Sequence, residues 1–148
     1  MSRVPDLIDA LVVRFGTEEG LRQVGITDGP EITDADRDDW VLVGYDGDPN
    51  GEFQAAVTEE EWAGLGGSRE ELIQLPVTVL ARRGDTNVKA ARARAYEVGA
   101  VIKAMLRADP SMGMHGVQCA VGSTALFQPQ TEQGIQARLV FTLACRTI

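Results

Sequence analysis

The clearest periodicities lie in the second half of the chain. Ile73, Leu75, Val77, Val79 and Ala81 alternate with Gln74, Pro76, Thr78 and Leu80, the period of two that marks a strand with one buried face. Pro76 has no N–H to give a ladder, so this strand is expected at a sheet edge or bulged there. Val88, Ala91, Ala95, Val98, Ile102, Met105 and Leu106 then recur at helical spacing. They predict a long amphipathic helix, capped by Asp85 or Thr86 and running to about Ala108. Asp109 followed by Pro110 ends it, because the residue before a proline disfavours helix. Two long strands follow a glycine-rich connection. Val117, Cys119, Val121, Ala125 and Phe127 are placed on one face of the first. Ile135, Ala137, Leu139, Phe141, Leu143 and Cys145 are placed on one face of the second, opposite Gln136, Arg138, Thr142 and Arg146. The short loop at 128–133 makes the two an antiparallel hairpin.

The first half reads less sharply. Leu7, Ile8, Leu11, Val12 and Phe15 form a helical stripe, Pro5 suits a first turn, and Gly16 stops the helix. Val24 and Ile26 mark a short strand before an Asp28, Gly29, Pro30 turn. Residues 40–45 and 53–57 form a hairpin candidate, and residues 58–70 read as a polar connection. The fold class is therefore α+β: an antiparallel or mixed β-sheet packed against a long amphipathic helix, with a short N-terminal helix. It is read as one two-layer domain over residues 1–148.

Composition narrows the classes further. No apolar run approaches the roughly 20 residues of a bilayer-spanning helix, and the first 15 residues lack a signal-peptide pattern. Neither membrane insertion nor secretion is expected. Cys119 and Cys145 then read as two buried free thiols of a reducing compartment and not as a disulfide. The net charge of −8 is unevenly laid out. Residues 1–81 carry 18 acidic and 5 basic side chains, whereas residues 82–148 carry 4 and 9. The plain reading is a difference between solvated faces. The sharper one is a complementary pair of assembly surfaces.

Candidate chemistry is sparse. Asp46, Gly47, Asp48, Pro49, Asn50 and Gly51 match the opening of an EF-hand calcium loop, but the twelfth position, where a bidentate Glu belongs, is Val57. A polar hairpin turn is the better reading. The run Asp34, Asp36, Asp38, Asp39 reads as a solvated acidic loop. His115 is the single histidine, and Ser123 lies in a strand without a nucleophile elbow. No catalytic residue, metal ligand or cofactor is therefore assigned. Lys89, Arg92, Arg94, Lys103 and Arg107 make the long helix basic. A solvated helix face is the first reading, contact with a partner the second and DNA the last. The candidates for a subunit or partner contact are Arg92, Arg94, Lys103 and Arg107.

Several segments together carry a resemblance. They are Val4, Pro5, Asp6, Leu7, Ile8, Asp9, Ala10, Leu11; the Asp28, Gly29, Pro30 turn; and Val43, Gly44, Tyr45, Asp46, Gly47. Trp62, Ala63, Gly64, Leu65, Gly66 and Arg69, Glu70, Glu71 follow, then Arg83, Gly84, Asp85 with the Arg- and Ala-rich helix, Arg107, Ala108, Asp109, Pro110, and the final hairpin. The chain resembles, over nearly its whole length, the tail terminator proteins of long-tailed bacteriophages, particularly those infecting actinobacteria. These are structural phrases without a catalytic signature. The resemblance implies a virion subunit, assembled in the host cytoplasm, that forms a homo-oligomeric, hexameric ring at the head-proximal end of the tail. Such a ring caps the tail tube protein, ends its polymerisation and meets the neck or head-completion protein, with DNA passing through the hole. The alternatives are another neck or tube subunit, or a small cytoplasmic ligand-binding protein or enzyme using a cleft under the long helix.

Overall fold

A computed structural model describes residues 2–31, 37–62, 69–84, 86–132 and 134–148. Helix α1 (Val4–Thr17) carries its apolar stripe inward, with Leu7, Leu11 and Phe15 fully buried. Its start is held by Glu71, which accepts from the Ser2 hydroxyl (2.6 Å) and the Arg3 backbone N–H (2.9 Å). One 3₁₀ turn (Glu19–Leu21) leads into strand β1 (Gly25–Asp28), which pairs in parallel with β2 (Asp39–Val43).

Strand β3 (Val57–Trp62) and the 15-residue β4 (Arg69–Arg83) come next. Helix α2 (Val88–Ala108) is followed by β5 (Val117–Phe127), the short β6 (Gln130–Thr131) and β7 (Gly134–Thr147). The sheet order is β1-β2-β4-β7-β5, with β3 also on β4 and β6 also on β7. Every pairing except β1 with β2 is antiparallel, so the sheet is mixed. The architecture is α+β, a long and a short helix on a seven-stranded sheet.

Two expectations about pairing change. Strand β4 is central, not an edge. Pro76 is accommodated because its carbonyl, and with it the nitrogen of the same residue, faces the side where β2 and β3 leave a gap. Strand β3 pairs with Arg69–Gln74 of β4 and β2 with Val77–Ala81, and the Pro76 carbonyl accepts from Gly44 (2.8 Å). The hairpin expected between 40–45 and 53–57 does not form. Phe53 has φ +56°, a left-handed conformation incompatible with a strand, and its ring stacks on Tyr45 with centroids 5.2 Å apart. Strand β3 instead pairs antiparallel with Arg69–Gln74 of β4, and all of β3 but Val57 falls in the stretch read as a polar connection.

The helix-facing side of the sheet holds the main core. Ile73, Leu75, Val77 and Val79 of β4 and Leu139, Phe141 and Leu143 of β7 meet Ala91, Ala95, Val98 and Ile102 of α2. The alternation read for β7 holds along its whole length. Gly99 lets the helix approach closely: a Cβ there would lie 2.9 Å from both Leu139 Cδ2 and Phe141 Cζ. The cap of α2 is Asn87, whose side chain accepts from the Ala90 N–H (3.0 Å), in place of Thr86; Asp85 lies outside the described residues.

The face assignment on β5 is half right. A bulge between Val121 and Ser123 inserts Gly122, so the inward set passes from Val117, Cys119 and Val121 to Thr124 and Leu126. Ala125 and Phe127 therefore stand on the opposite face, and Phe127 is 45% exposed. Cys119 and Cys145 face each other across β5 and β7 as buried free thiols. Their mutual hydrogen bond and burial push the Cys145 thiol up, so it stays protonated.

Candidate subunit interface

The charge division in the sequence becomes a lateral division of the sheet. Strand β4 lies in the middle, so acidic residues 1–81 build one side through β1, β2 and β3. Of the basic remainder, Arg82, Arg83, Arg94 and Arg146 pair with Glu31, Asp39 and Glu70 of the acidic part, and β5 carries no charged residue, so the basic character of the other side rests on Lys89, Arg92, Lys103 and Arg107 of α2. On the acidic side, Tyr45 reports the local potential. Burial first, then the carboxylates of Glu31, Asp46 and Asp48, push its phenol up.

The four basic candidates do not act together. Arg94 is committed inside the molecule: its Nε donates to Asp39 Oδ2 (2.9 Å) and Nη1 to Glu97 Oε1 (2.8 Å). The hydrogen bond to Asp39 is the main reason its guanidinium pKa is raised. Asp39 also receives Arg83 Nη1 at 3.0 Å and is only 14% exposed, so it is no part of a solvated acidic loop. It ties the start of β2 to the end of β4 and the first half of α2. The other candidates line the basic side. Arg92 donates to Gln128 Oε1 (3.0 Å), and Lys103 sits 5.5 Å above the Phe141 ring.

Lys103 and Arg107 border a groove of about 570 Å³ between α2 and β5. Leu106, Pro110, Val121 and Thr124 also line it. Among the described residues neither Lys103 nor Arg107 takes part in an ion pair. Strand β5 beside them pairs, among the described residues, with β7 alone and is an outer strand of the sheet.

The acidic side ends in an edge as well. All six residues of β3 are exposed, including Glu59, Glu60 and Glu61, with Trp62 at 66%. Among the described residues Glu60 is the one glutamate of the three in an ion pair, with Arg69 at 3.7 Å and solvent-screened, and the same guanidinium lies 5.1 Å from the Trp62 ring centroid. Sequence reading missed this strand because nothing in it alternates in burial. The signal available was the β-favouring Val57, Thr58 and Trp62 flanking the glutamates.

Asp46 Oδ1 accepts from the Asp48 N–H (2.9 Å) and Asp48 Oδ1 from the Asn50 N–H (2.9 Å), so these carboxylates shape their own turns. Among the described residues no group of three or more His, Cys, Asp or Glu side chains is placed to hold a metal ion. The His115 carbonyl accepts from Arg3 (3.1 Å), and Ser123 lines the groove beside β5. No helix among the described residues is long and apolar enough to cross a membrane. Compared with protein-family models and with curated proteins, the chain matches none.

Proposed function

We propose that this protein is a structural assembly subunit whose copies close into a ring, in the manner of the phage tail terminators that its sequence resembles. The observation that carries this reading is the charge contrast between β3, with three exposed glutamates at one side of the sheet, and the α2 rim beside the outer strand β5 at the other, where Lys103 and Arg107 have no ion-pair partner among the described residues. Around a ring, every subunit offers one surface to a different surface of the next, a heterologous contact that closes when the rotation fits. Opposite charges at the two ends favour that register and disfavour like-to-like contact. In the tail-terminator reading the ring caps the tail tube, meets the neck and lets DNA through its hole.

Light scattering behind a sizing column, over several protein concentrations and a salt series, tests this. The expected result is a closed oligomer that weakens as salt shortens the screening length from about 10 Å at 0.1 M to about 3 Å at 1 M. Electron micrographs with purified tail tubes should show it at one tube end. A strict monomer at every concentration, without tube binding, would remove the ring. That result would favour a second reading, which rests on the groove of about 570 Å³ beneath the C-terminal half of α2: a small anionic ligand held by Lys103 and Arg107.

A further inference from the structure

An exposed edge strand is a template for pairing, and natural proteins normally blunt such edges with charged side chains, proline or a covering element; the three glutamates of β3 guard its edge against all but a cationic partner. Among the described residues β1, β3 and β5 are outer strands; β3 is exposed along its whole length and β5 over most of its second half. On β5 the Cys119 N–H donates outward to the Pro110 carbonyl (2.8 Å). That bond fixes which backbone groups face out: those of Val117, Cys119 and Val121, and beyond the bulge those of Thr124 and Leu126. Past Cys119, no bond among the described residues closes this edge. On β3 the register with β4 leaves Thr58, Glu60 and Trp62 facing outward.

We propose that copies of this chain join by antiparallel pairing of β5 in one copy with β3 in the next, which carries the sheet across each contact. The inference deepens the ring reading and rests on it.

Three features agree. The first is direction. Strand β5 runs against β7, β7 runs against β4, and β3 runs against β4. A rotation about an axis along the strands keeps these directions, so β5 and the neighbour's β3 meet antiparallel. The helices of both copies then stay on the same side.

The second feature is charge. Thr58 is opposite Ile73, a core residue, so Thr58, Glu60 and Trp62 share the helix-facing side. The join therefore brings Glu60 beside the α2 rim that carries Lys103 and Arg107. A two-fold pairing of β5 with β5 would set Lys103 and Arg107 against their own copies. Pairing of β3 with β3 would oppose six glutamates. Both like-to-like joins are repelled, and the head-to-tail join is not.

The third feature is apolar surface. Val57 and Trp62 on β3 are 41% and 66% exposed, and Phe127 ends β5 at 45%. Exposed aromatic side chains at both edges are the kind that anchor interfaces.

The test compares the wild-type chain with three variants by light scattering behind a sizing column, with circular dichroism melting as the folding control. Thr124→Pro removes an outward N–H and leaves the ladder to β7 intact. Lys103→Glu with Arg107→Glu reverses one edge. Glu59→Lys, Glu60→Lys and Glu61→Lys together reverse the other. Each variant should assemble at least tenfold more weakly than wild type with little change in melting. An equimolar mixture of the two charge-reversed chains should regain the wild-type oligomer size, because each reversed edge then meets its opposite. Wild-type assembly with all three variants unimpaired would overturn the edge pairing and leave the ring reading standing. A wild-type chain that stays monomeric at every concentration would overturn both.

Discussion

The two faces of the sheet are built differently. The helix-facing side is a continuous aliphatic core in which α1, α2, β4 and β7 interlock. The far side carries one small cluster, Trp40, Leu42, Tyr45 and Leu80, beside a shallow groove lined by Gln74, Pro76, Arg138 and Thr142. Polar groups complete that far side. The buried Thr78 hydroxyl donates to the Tyr45 carbonyl (2.7 Å), and Arg138 stacks 4.4 Å from the Phe127 ring. Closed packing penalises any lost volume, whereas an open patch relaxes. Stability should therefore concentrate on the helix face, leaving the far side and the edges freer to vary with partners.

The strongest challenge to that comparison is Phe141→Ala. Phe141 is 1% exposed beneath Gly99 and Lys103, so truncation should cost about 3–5 kcal/mol. Thr142→Ala, one residue along on the far face, should cost under about 1 kcal/mol. Equal urea midpoints for the two would show that the faces do not differ. Trp40→Ala probes the far cluster, where Trp40 is 3% exposed and its indole N–H donates to the Arg37 carbonyl (3.2 Å). A cluster of four residues can settle into the space, so the loss should be about 3 kcal/mol, at the low end of the range for Trp→Ala and below that of Phe141→Ala. A larger loss for Trp40→Ala would reverse the ranking.

Asp39→Ala should cost about 1–3 kcal/mol, because it strands Arg83 and Arg94 in a partly screened site. Arg94→Ala in the same background should then add little, which a double-mutant cycle measures. The smallest effect is pH-dependent. Hydrogen bonds from Ser111 first, then Arg14, hold the Asp109 carboxyl below its usual range. A depressed folded pKa contributes stability that is present above the unfolded value of about 3.9 and is lost as pH falls through the folded value. The melting temperature should thus drop in that acid window, and by less in Ser111→Ala. An identical acid slope in the variant would remove Asp109 from the account.

By itself the sequence determined the elements whose burial is periodic. Strand β7 alternates without a break and α2 keeps one apolar stripe, because side-chain direction follows backbone geometry residue by residue. It also placed both thiols in the core. Only the tertiary structure decided what neighbours what. Hydrophobic alternation says that a strand has an inner face but not which strand lies beside it, so β4 could be read as an edge until β2 and β3 were seen to flank the gap at Pro76. The far cluster had one faint sign, Leu80 among the polar positions of β4 and the unbroken apolar run from Trp40 to Val43. Gly122 turned the second half of β5 over, since one inserted residue exchanges the two faces while leaving the composition unchanged. The basic helix divides for the same reason. Arg94 has a carboxylate within reach and, among the described residues, Lys103 and Arg107 have no ion pair, a matter of distance across the fold that spacing along the chain does not encode.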